Sequence, residues 1–334
     1  MREHHTIEHK PNIQENHWHI LGAGAMGCLW AARIWQYAQL SEHTSAVQAA
    51  TLLLRDEAAF ARWQRLEGVL IISNGSETLV PVAASTIANA PGLIDNLLIC
   101  TKAQDALLAL RSVAHLLHAN SRVLLLQNGI KAQITIAERF PELALYCLST
   151  SHGAYLRSDY NVVDAGLGQS YLGSLHPEHL FSGEDASALL NALPSESMNI
   201  SWDSDITGRL WTKFAVNCAI NALTVIYDCR NGELLTRPEA TAHLRALCVE
   251  IEGIMGTIAA CPHPLTLLKR VETVLVATAQ NYSSTLQDVR NARPTEIAYF
   301  NGYLSELAQL AELDCPLNEA VLHSFNAITH PDID

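Results

Sequence analysis

The chain has 334 residues, 49% of them hydrophobic and 16% charged, enough apolar material for two globular domains and too much for a disordered chain. A formal net charge of -13 argues against nucleic acid or an anionic membrane as the main partner, so an anionic ligand must be held by local charge and backbone donors. The 8 cysteines form no CxxC pair, the 15 histidines form no HExxH motif, and no apolar run reaches membrane-spanning length; together these point to a cytoplasmic protein with reduced thiols and no metal.

Residues 1–17 are polar and histidine-rich, lack the apolar stretch of a secretory signal, and read as a flexible tail. Trp18 to Leu21 is a short apolar strand. Gly22-Ala23-Gly24-Ala25-Met26-Gly27 follows at once, and Cys28 to Gln39 reads as helix. Strand, GxGxxG and helix in that order make a dinucleotide-binding turn. The first glycine allows the tight turn, the second lets backbone approach a pyrophosphate, and the third lets helix pack on strand. The helix N-terminus offers free N–H groups to the phosphates. A second strand, Ala50 to Leu54, ends at Arg55. An acidic residue near this strand end takes the ribose hydroxyls of NAD, whereas an arginine suits the 2′-phosphate of NADP. Asp56 and Glu57 follow it, and Arg55 as a plain surface charge is the competing reading. The long spacing from the glycines marks the 40–50 region as a loop insertion.

Two strand segments, 68–72 and 78–82, flank Asn74-Gly75 and predict a β-hairpin. Strands at 97–100 and 123–126 run into Thr101-Lys102-Ala103 and Gln127-Asn128-Gly129. Both tripeptides fall at strand ends, where an open α/β sheet places its ligand site. Read singly, Lys102 is a surface lysine at a helix start and Asn128-Gly129 an ordinary turn. A strand is predicted at 145–150. Asn161 to Asp164 and Ser170 to Leu172 predict an antiparallel hairpin around Gly166 and Gly168. A helix over 184–192 and a last strand over 199–202 follow. From Asp203 onward strand signals vanish, and helices are predicted over 205–228, 238–260, 264–280 and 294–313. The fold class is therefore α/β: a Rossmann-type dinucleotide-binding domain over 18–203 and an all-helical domain over 204–334.

Within the helical part, Trp211 to Asp228 is apolar except at Lys213, Asn217, Asn221, Thr224 and Asp228. Steps of four, four, three and four put these five on one stripe of a helix. One reading is a core helix whose lysine snorkels out and whose asparagines bond backbone. The other is the wall of a ligand cleft, with Lys213 as proton donor or anion hook and the asparagines orienting a polar substrate. Further on, Asn281 to Ile297 carries Ser283, Ser284, Asp288, Arg293, Pro294 and Glu296. Pro294 fits the first turn of a helix and Glu296 then complements the helix dipole. That is a capping reading, with Ser283, Ser284 and Asp288 as loop and cap residues.

Taken together, GAGAMG at 22–27, TKA at 101–103, QNG at 127–129, WTKFAVNCAINALT at 211–224, NGEL at 231–234 and SSTLQDVRNARPTEIAYFNG at 283–302 resemble the ketopantoate reductase family. The resemblance spans most of the chain, and the last long motifs are the specific ones. It implies a Rossmann-type domain followed by a helical domain, an active site between them, and reduction of ketopantoate to pantoate with NADPH on the route to pantothenate and coenzyme A. Carried over by position, Lys213 is the general acid and Glu296 positions substrate and lysine. Asn217, Asn221 and Ser284 match substrate contacts, with Asn281 a further one. Lys102 and Asn128 match residues near nicotinamide and substrate, and Arg55 the 2′-phosphate contact. The family motif continues TEID, whereas Ala298 stands here in place of the aspartate. The expected partner is a small 2-keto acid, with no nucleic acid and no membrane, and the chain a monomer or homodimer. A reductase of another 2-keto acid or an imine, and a non-catalytic NADPH-binding sensor, are the alternatives.

Overall fold

The computed structural model describes residues 17–40, 49–90, 92–175, 183–259, 261 and 266–330. Residues 1–16 of the expected 1–17 tail and residues 41–48 of the expected 40–50 insertion lie outside the described residues, while His17 is described and bonds the Thr51 hydroxyl at 3.1 Å. Two compact units emerge. One holds the described residues up to Thr101 with Leu108–Leu126 and Phe140–Ser204; the other holds Lys102–Leu107, Gln127–Arg139 and the residues from Asp205 onward.

In chain order the elements up to residue 204 are β1 (Trp18–Leu21), α1 (Ala25–Leu40), β2 (Ala50–Leu54), α2 (Glu57–Gln64), β3 (Val69–Ser73), β4 (Ser76–Val80), β5 (Ala83–Thr86), β6 (Ile94–Ile99), α3 (Ala103–Val113), β7 (Leu117–Leu125), α4 (Lys131–Arg139), β8 (Ala144–Thr150), β9 (Gly153–Ser158), β10 (Asn161–Gly166), β11 (Ser170–Ser174), α5 (Gly183–Asn191) and β12 (Ile200–Trp202). All the strands belong to the first unit. Its large sheet runs β12-β11-β8-β7-β6-β1-β2-β5. From β5 to β8 every pairing is parallel, and only β11 turns antiparallel against β8. The order reverses between β1 and β6, the crevice where open α/β sheets bind their ligands. β1 and β2 are buried at every position, as strands covered on both faces must be.

A second sheet runs β4-β3-β10-β9, and α1 packs against strands of both sheets. That explains why α1 lacks a polar side near its start: Cys28, Leu29, Trp30, Ala31 and Ala32 are all fully buried. The β3–β4 hairpin forms as expected, with Asn74 (φ 50°) and Gly75 (φ 79°) between the paired Ser73 and Ser76. The expected hairpin over 161–172 does not form. β10 pairs with β9 and β3 in the small sheet, whereas β11 pairs with β8 and β12 in the large one. Two interactions part them. Val162 buries its side chain completely in the core. Gly168 presses on the backbone of Ser151, where an added Cβ would lie 2.4 Å from the carbonyl carbon.

The second unit adds α6 (Ile206–Ile226), α7 (Pro238–Met255), α8 (Leu267–Ala277), α9 (Ser284–Arg290), α10 (Asn301–Leu310) and α11 (Pro316–Thr329). Asp205 caps α6, accepting a hydrogen bond from the Gly208 N–H at 3.0 Å. α7 through α11 all pack on α6, which is therefore apolar nearly all round. Caps also come from neighbours: the Glu250 carboxylate on α7 accepts the N–H groups of Leu317 (2.9 Å) and Asn318 (2.7 Å) at the start of α11. The single helix expected over 294–313 is instead a short 3₁₀ turn, Ile297–Tyr299, followed by α10. Residues 293–296 stay non-helical because their polar groups are bonded elsewhere. The Pro294 carbonyl accepts from Lys102 Nζ at 2.6 Å, and Glu296 accepts the Ala103 N–H at 3.0 Å.

Candidate active site

In the first unit, the residues following β1 form a tight phosphate-type turn. Gly22 has φ 107°, and a Cβ there would sit 2.7 Å from the Thr101 nitrogen. A Cβ on Gly27 would strike the Gly22 oxygen at 1.9 Å, so strand and helix meet in backbone contact. A Cβ on Gly24 would meet nothing within 4 Å. The turn is thus closed on its protein side and open on the other. The N–H groups of Ala25, Met26 and Gly27 begin α1 without acidic residues in its first turn. This cradle fits a dinucleotide pyrophosphate, with Ala23 and Met26 packed behind it on the core. Arg55 follows β2 with its side chain 89% exposed and a 3.1 Å contact to Asp56. Asp56 is already the N-cap of α2, accepting from the Ala59 N–H at 2.8 Å. That bond first, and then Arg55, hold its carboxyl below the usual range. Arg55 is accordingly tethered to a carboxylate with other duties.

The second unit assembles the remaining candidates around α6. Lys213 and Asn217 are half-buried, Asn221 and Thr224 are buried, and Asp228 lies exposed past the helix end. Burial pulls the Lys213 ammonium down to about 8, while the charge of Glu296 acts in the opposite direction. Glu296 is itself buried, and burial raises its carboxyl above the ordinary range. The Ala103 N–H, the Lys102 charge and the Asn128 amide work against that rise. Glu296 is therefore the node joining the residue after Lys102, the QNG turn and the lysine. Lys102 adds a second tie, donating to Asp288 Oδ2 at 2.7 Å and to the Pro294 carbonyl. The amides of Asn217 and Asn221 find no hydrogen-bond partner among the described residues. Asn221 is 6% exposed, and its amide is open to a ligand or water.

The segment before α9 is tied to the other end of α6. Ser283, not Ser284, is the N-cap: its hydroxyl accepts from the Leu286 N–H (3.1 Å) and bonds Thr224 Oγ1 at 2.6 Å. Ser284 and Asn281 on either side are exposed. The Asn281 carbonyl accepts from the Asn231 N–H at 3.0 Å. Asp288 and Asn231 are the members that residue-by-residue reading passed over. Asp288 looked like a helix-cap residue, and nothing local announces a partner 186 positions away. Asn231 lies within NGEL, and its Nδ2 donates to Thr278 Oγ1 while its buried Oδ1 finds no donor among the described residues.

Comparison with known proteins matches two stretches of the chain. Residues 18–177 match the family model described as ketopantoate reductase PanE/ApbA, and 205–329 match its C-terminal counterpart. The 2-dehydropantoate 2-reductase of Vibrio cholerae is 30% identical over 309 residues, covering 92% of this chain and 96% of that one. The chain belongs to the ketopantoate reductase family. The Shigella flexneri 2-dehydropantoate 2-reductase is 31% identical and covers 90% of each chain. Among solved structures, a probable 2-dehydropantoate 2-reductase from Bacillus subtilis superposes with TM-score 0.76 at 25% identity, over 93% of this chain and 99% of that one. D-mandelate dehydrogenase, solved with NADH and anilino(oxo)acetate, shares the fold at TM-score 0.80 and 22% identity, over 94% of this chain and 98% of that one. Membership in this family of oxidoreductases fits the α/β sheet and the helical unit. No helix among the described residues is long and apolar enough to cross a membrane.

Proposed function

We propose that this chain reduces ketopantoate to pantoate with NADPH, as a cytoplasmic enzyme of pantothenate and coenzyme A synthesis acting as monomer or homodimer. The observation that carries the reading is Lys213: an ammonium brought by burial to about 8, opposed by the charge of Glu296, on a stripe with two unpartnered asparagine amides. Such a group is protonated at neutral pH yet readily gives up its proton, the requirement for a general acid. A nicotinamide cofactor, bound at the glycine turn, supplies the hydride that the ketone carbon receives. The ketone oxygen gains negative charge, and Lys213 stabilises that charge and delivers the proton, giving the alcohol and a neutral amine that is reprotonated from water. Glu296 keeps Lys213 charged between turnovers and is itself oriented by Ala103 and Asn128. Asn217, Asn221, Asn281 and Ser284 are the donors and acceptors assigned to the carboxylate and hydroxyl of the substrate. Lys102 and Asn128 would hold the nicotinamide and substrate in place, and Arg55 would take the 2′-phosphate.

The test is loss of NADPH absorbance with ketopantoate, run beside NADH and beside the Lys213→Ala protein. Rapid oxidation of NADPH over NADH, abolished in the variant, supports substrate, cofactor and acid together. Binding of NADPH without turnover of ketopantoate, while another 2-keto acid is reduced, would transfer the assignment to that substrate; Ala298 marks where this chain departs from the family motif. Binding with no turnover of any keto acid would restore the sensor reading.

A further inference from the structure

The chain holds five lysines, and Lys131 stands where local rules disfavour it. It opens α4, whose first turn contains no acidic residue. A helix N-terminus favours an anion, so this ammonium opposes the helix dipole. Its partners are distant in sequence. The ammonium donates to both carboxylate oxygens of Glu306 on α10, at 2.6 and 2.7 Å. It also lies 5.2 Å from the centre of the Tyr303 ring and 5.7 Å from that of Tyr299. Tyr303 is set in turn by α6. It stacks on Trp211 at 6.4 Å with the planes 16° apart, and meets Phe214 edge-on at 5.8 Å. Trp211 and Phe214 are buried on either side of Lys213 in the sequence.

The turn that carries Asn128 leads directly into this clamp. Asn128, Gly129 and Ile130 separate Gln127 from Lys131. The Gln127 carbonyl accepts from Gln133 Nε2 on α4 at 2.8 Å, which fastens the start of the turn to the helix that follows it. A Cβ on Gly129 would lie 3.3 Å from the Tyr299 oxygen and 3.4 Å from the Phe300 ring, so the turn rests on the 299–300 backbone and ring. The Tyr299 N–H donates to the Glu296 carbonyl at 2.8 Å. The contacts therefore form a closed circuit. The Lys131 ammonium meets Tyr299, Tyr299 bonds the Glu296 backbone, the Glu296 carboxylate bonds the Asn128 amide, and the chain from Asn128 returns to Lys131. Lys131 itself lies outside every stretch that carries the family resemblance.

We propose that Lys131 is a positioning residue, whose clamp on Tyr299, Tyr303 and Glu306 holds the Asn128 amide on the Glu296 carboxylate. The inference rests on the reading of Lys213 as the acid and Glu296 as the charge that keeps it protonated. The charged groups acting on Glu296 and its partner lysine are Lys102, Asp288 and Lys213 itself. Those around the clamp are Glu306, bonded to Lys131, and Glu138, which acts on Tyr303 together with Glu306. Lys131 thus acts on the proton donor through the placement of an amide.

NMR of the labelled Glu296 carboxyl carbon, assigned by its loss in Glu296→Gln, reads this contact without turnover. In Lys131→Met the Asn128 bond loosens, so the Glu296 titration should move to higher pH, and the acid limb of kcat/KM with it. Ketopantoate kcat should fall roughly tenfold, the size of one hydrogen bond to a charged group. Lys131→Arg keeps a cation between the rings and Glu306, and should restore both readouts. Glu306→Gln separates placement from charge. Loss of the clamp moves the Glu296 titration to higher pH, whereas a through-space effect moves it lower, because a neighbouring carboxylate has been removed. A shift to lower pH in Glu306→Gln would overturn the proposal. So would an unchanged Glu296 titration in Lys131→Met with reduced stability in denaturant, since that describes a brace alone. If Lys131→Met does not fold, the sign of the shift in Glu306→Gln decides. Ketopantoate turnover by the wild-type protein is measured separately, so failure of the reductase assignment leaves the carboxyl titration to judge the clamp.

Discussion

The pH dependence of turnover follows from the environment of Lys213. Its ammonium titrates at about 8, lowered by burial and held up by Glu296. In the proposed mechanism the protonated form is the acid, so kcat/KM should fall as pH rises through this value. With one proton required, the protonated fraction is about nine-tenths at pH 7 and about one-tenth at pH 9, and beyond that the rate drops about tenfold per unit. On the acid side, activity falls as Glu296 takes up a proton, and burial places that limb above the ordinary glutamate range. Glu296→Gln removes the charge that favours the ammonium. It should move the basic limb to lower pH, because the burial effect is then unopposed. Lys213→Ala should cost ~10²–10⁴-fold in kcat and flatten the basic limb. The assay is a kcat/KM profile between pH 5 and 10 for the three proteins, with intact folding checked by circular dichroism. A basic limb that stays in place in Glu296→Gln, or one that survives in Lys213→Ala, would refute the assignment. The same lysine leaves a mark on stability with a defined sign. Its folded value lies below the ordinary 10.5, so the unfolded chain binds more protons between about 8 and 10.5. The wild-type protein should therefore gain stability relative to Lys213→Met as pH rises through that window, and gain nothing below it.

Asp288→Asn should leave the fold intact and raise the KM of ketopantoate by roughly tenfold, since Lys102 loses a charge-assisted partner and the Glu296-bearing segment loses one anchor; Asp288→Glu should recover part of it, and an unchanged KM would argue against the link. Ser283→Ala removes both the N-cap of α9 and the bond to Thr224, and a denaturant titration should find it less stable by about 1–2 kcal/mol. Glu250→Ala strips two N–H groups at the start of α11 of a charged acceptor and should cost about 2–3 kcal/mol in the same titration. Arg55→Gln should raise the KM of NADPH by about tenfold while leaving that of NADH unchanged, and equal effects on the two would make Arg55 a surface charge only.

What could be read from the sequence was what one element determines by itself. The GxGxxG turn announces itself because glycine geometry is local: Gly22 and Gly27 are needed where the backbone of the turn meets itself and Thr101. The stripe on α6 was equally legible, because helical periodicity alone puts Lys213, Asn217 and Asn221 on one face. Periodicity did not say what covers that face, and so could not choose between a snorkelling lysine and a buried acid. Errors came where a residue's bonding partner is distant in sequence. Gly166 and Gly168 suggested a turn, yet Gly168 is packed against Ser151, and the strands on either side join different sheets.

The 293–296 stretch is the most instructive miss, because local rules and function compete there for the same atoms. Pro294 and Glu296 have the composition of a helix start, and a free peptide would use them so. In the protein Glu296 gives its carboxylate to the Ala103 N–H and the Asn128 amide, and Pro294 gives its carbonyl to Lys102. Ala292, just before, takes φ 50°, a left-handed conformation that costs an alanine on the order of 1 kcal/mol. Helix capping alone would require neither the strain nor the buried carboxylate. Both follow if the segment exists to hold Glu296 where its charge reaches Lys213, with stability given up locally for an acid poised near neutrality.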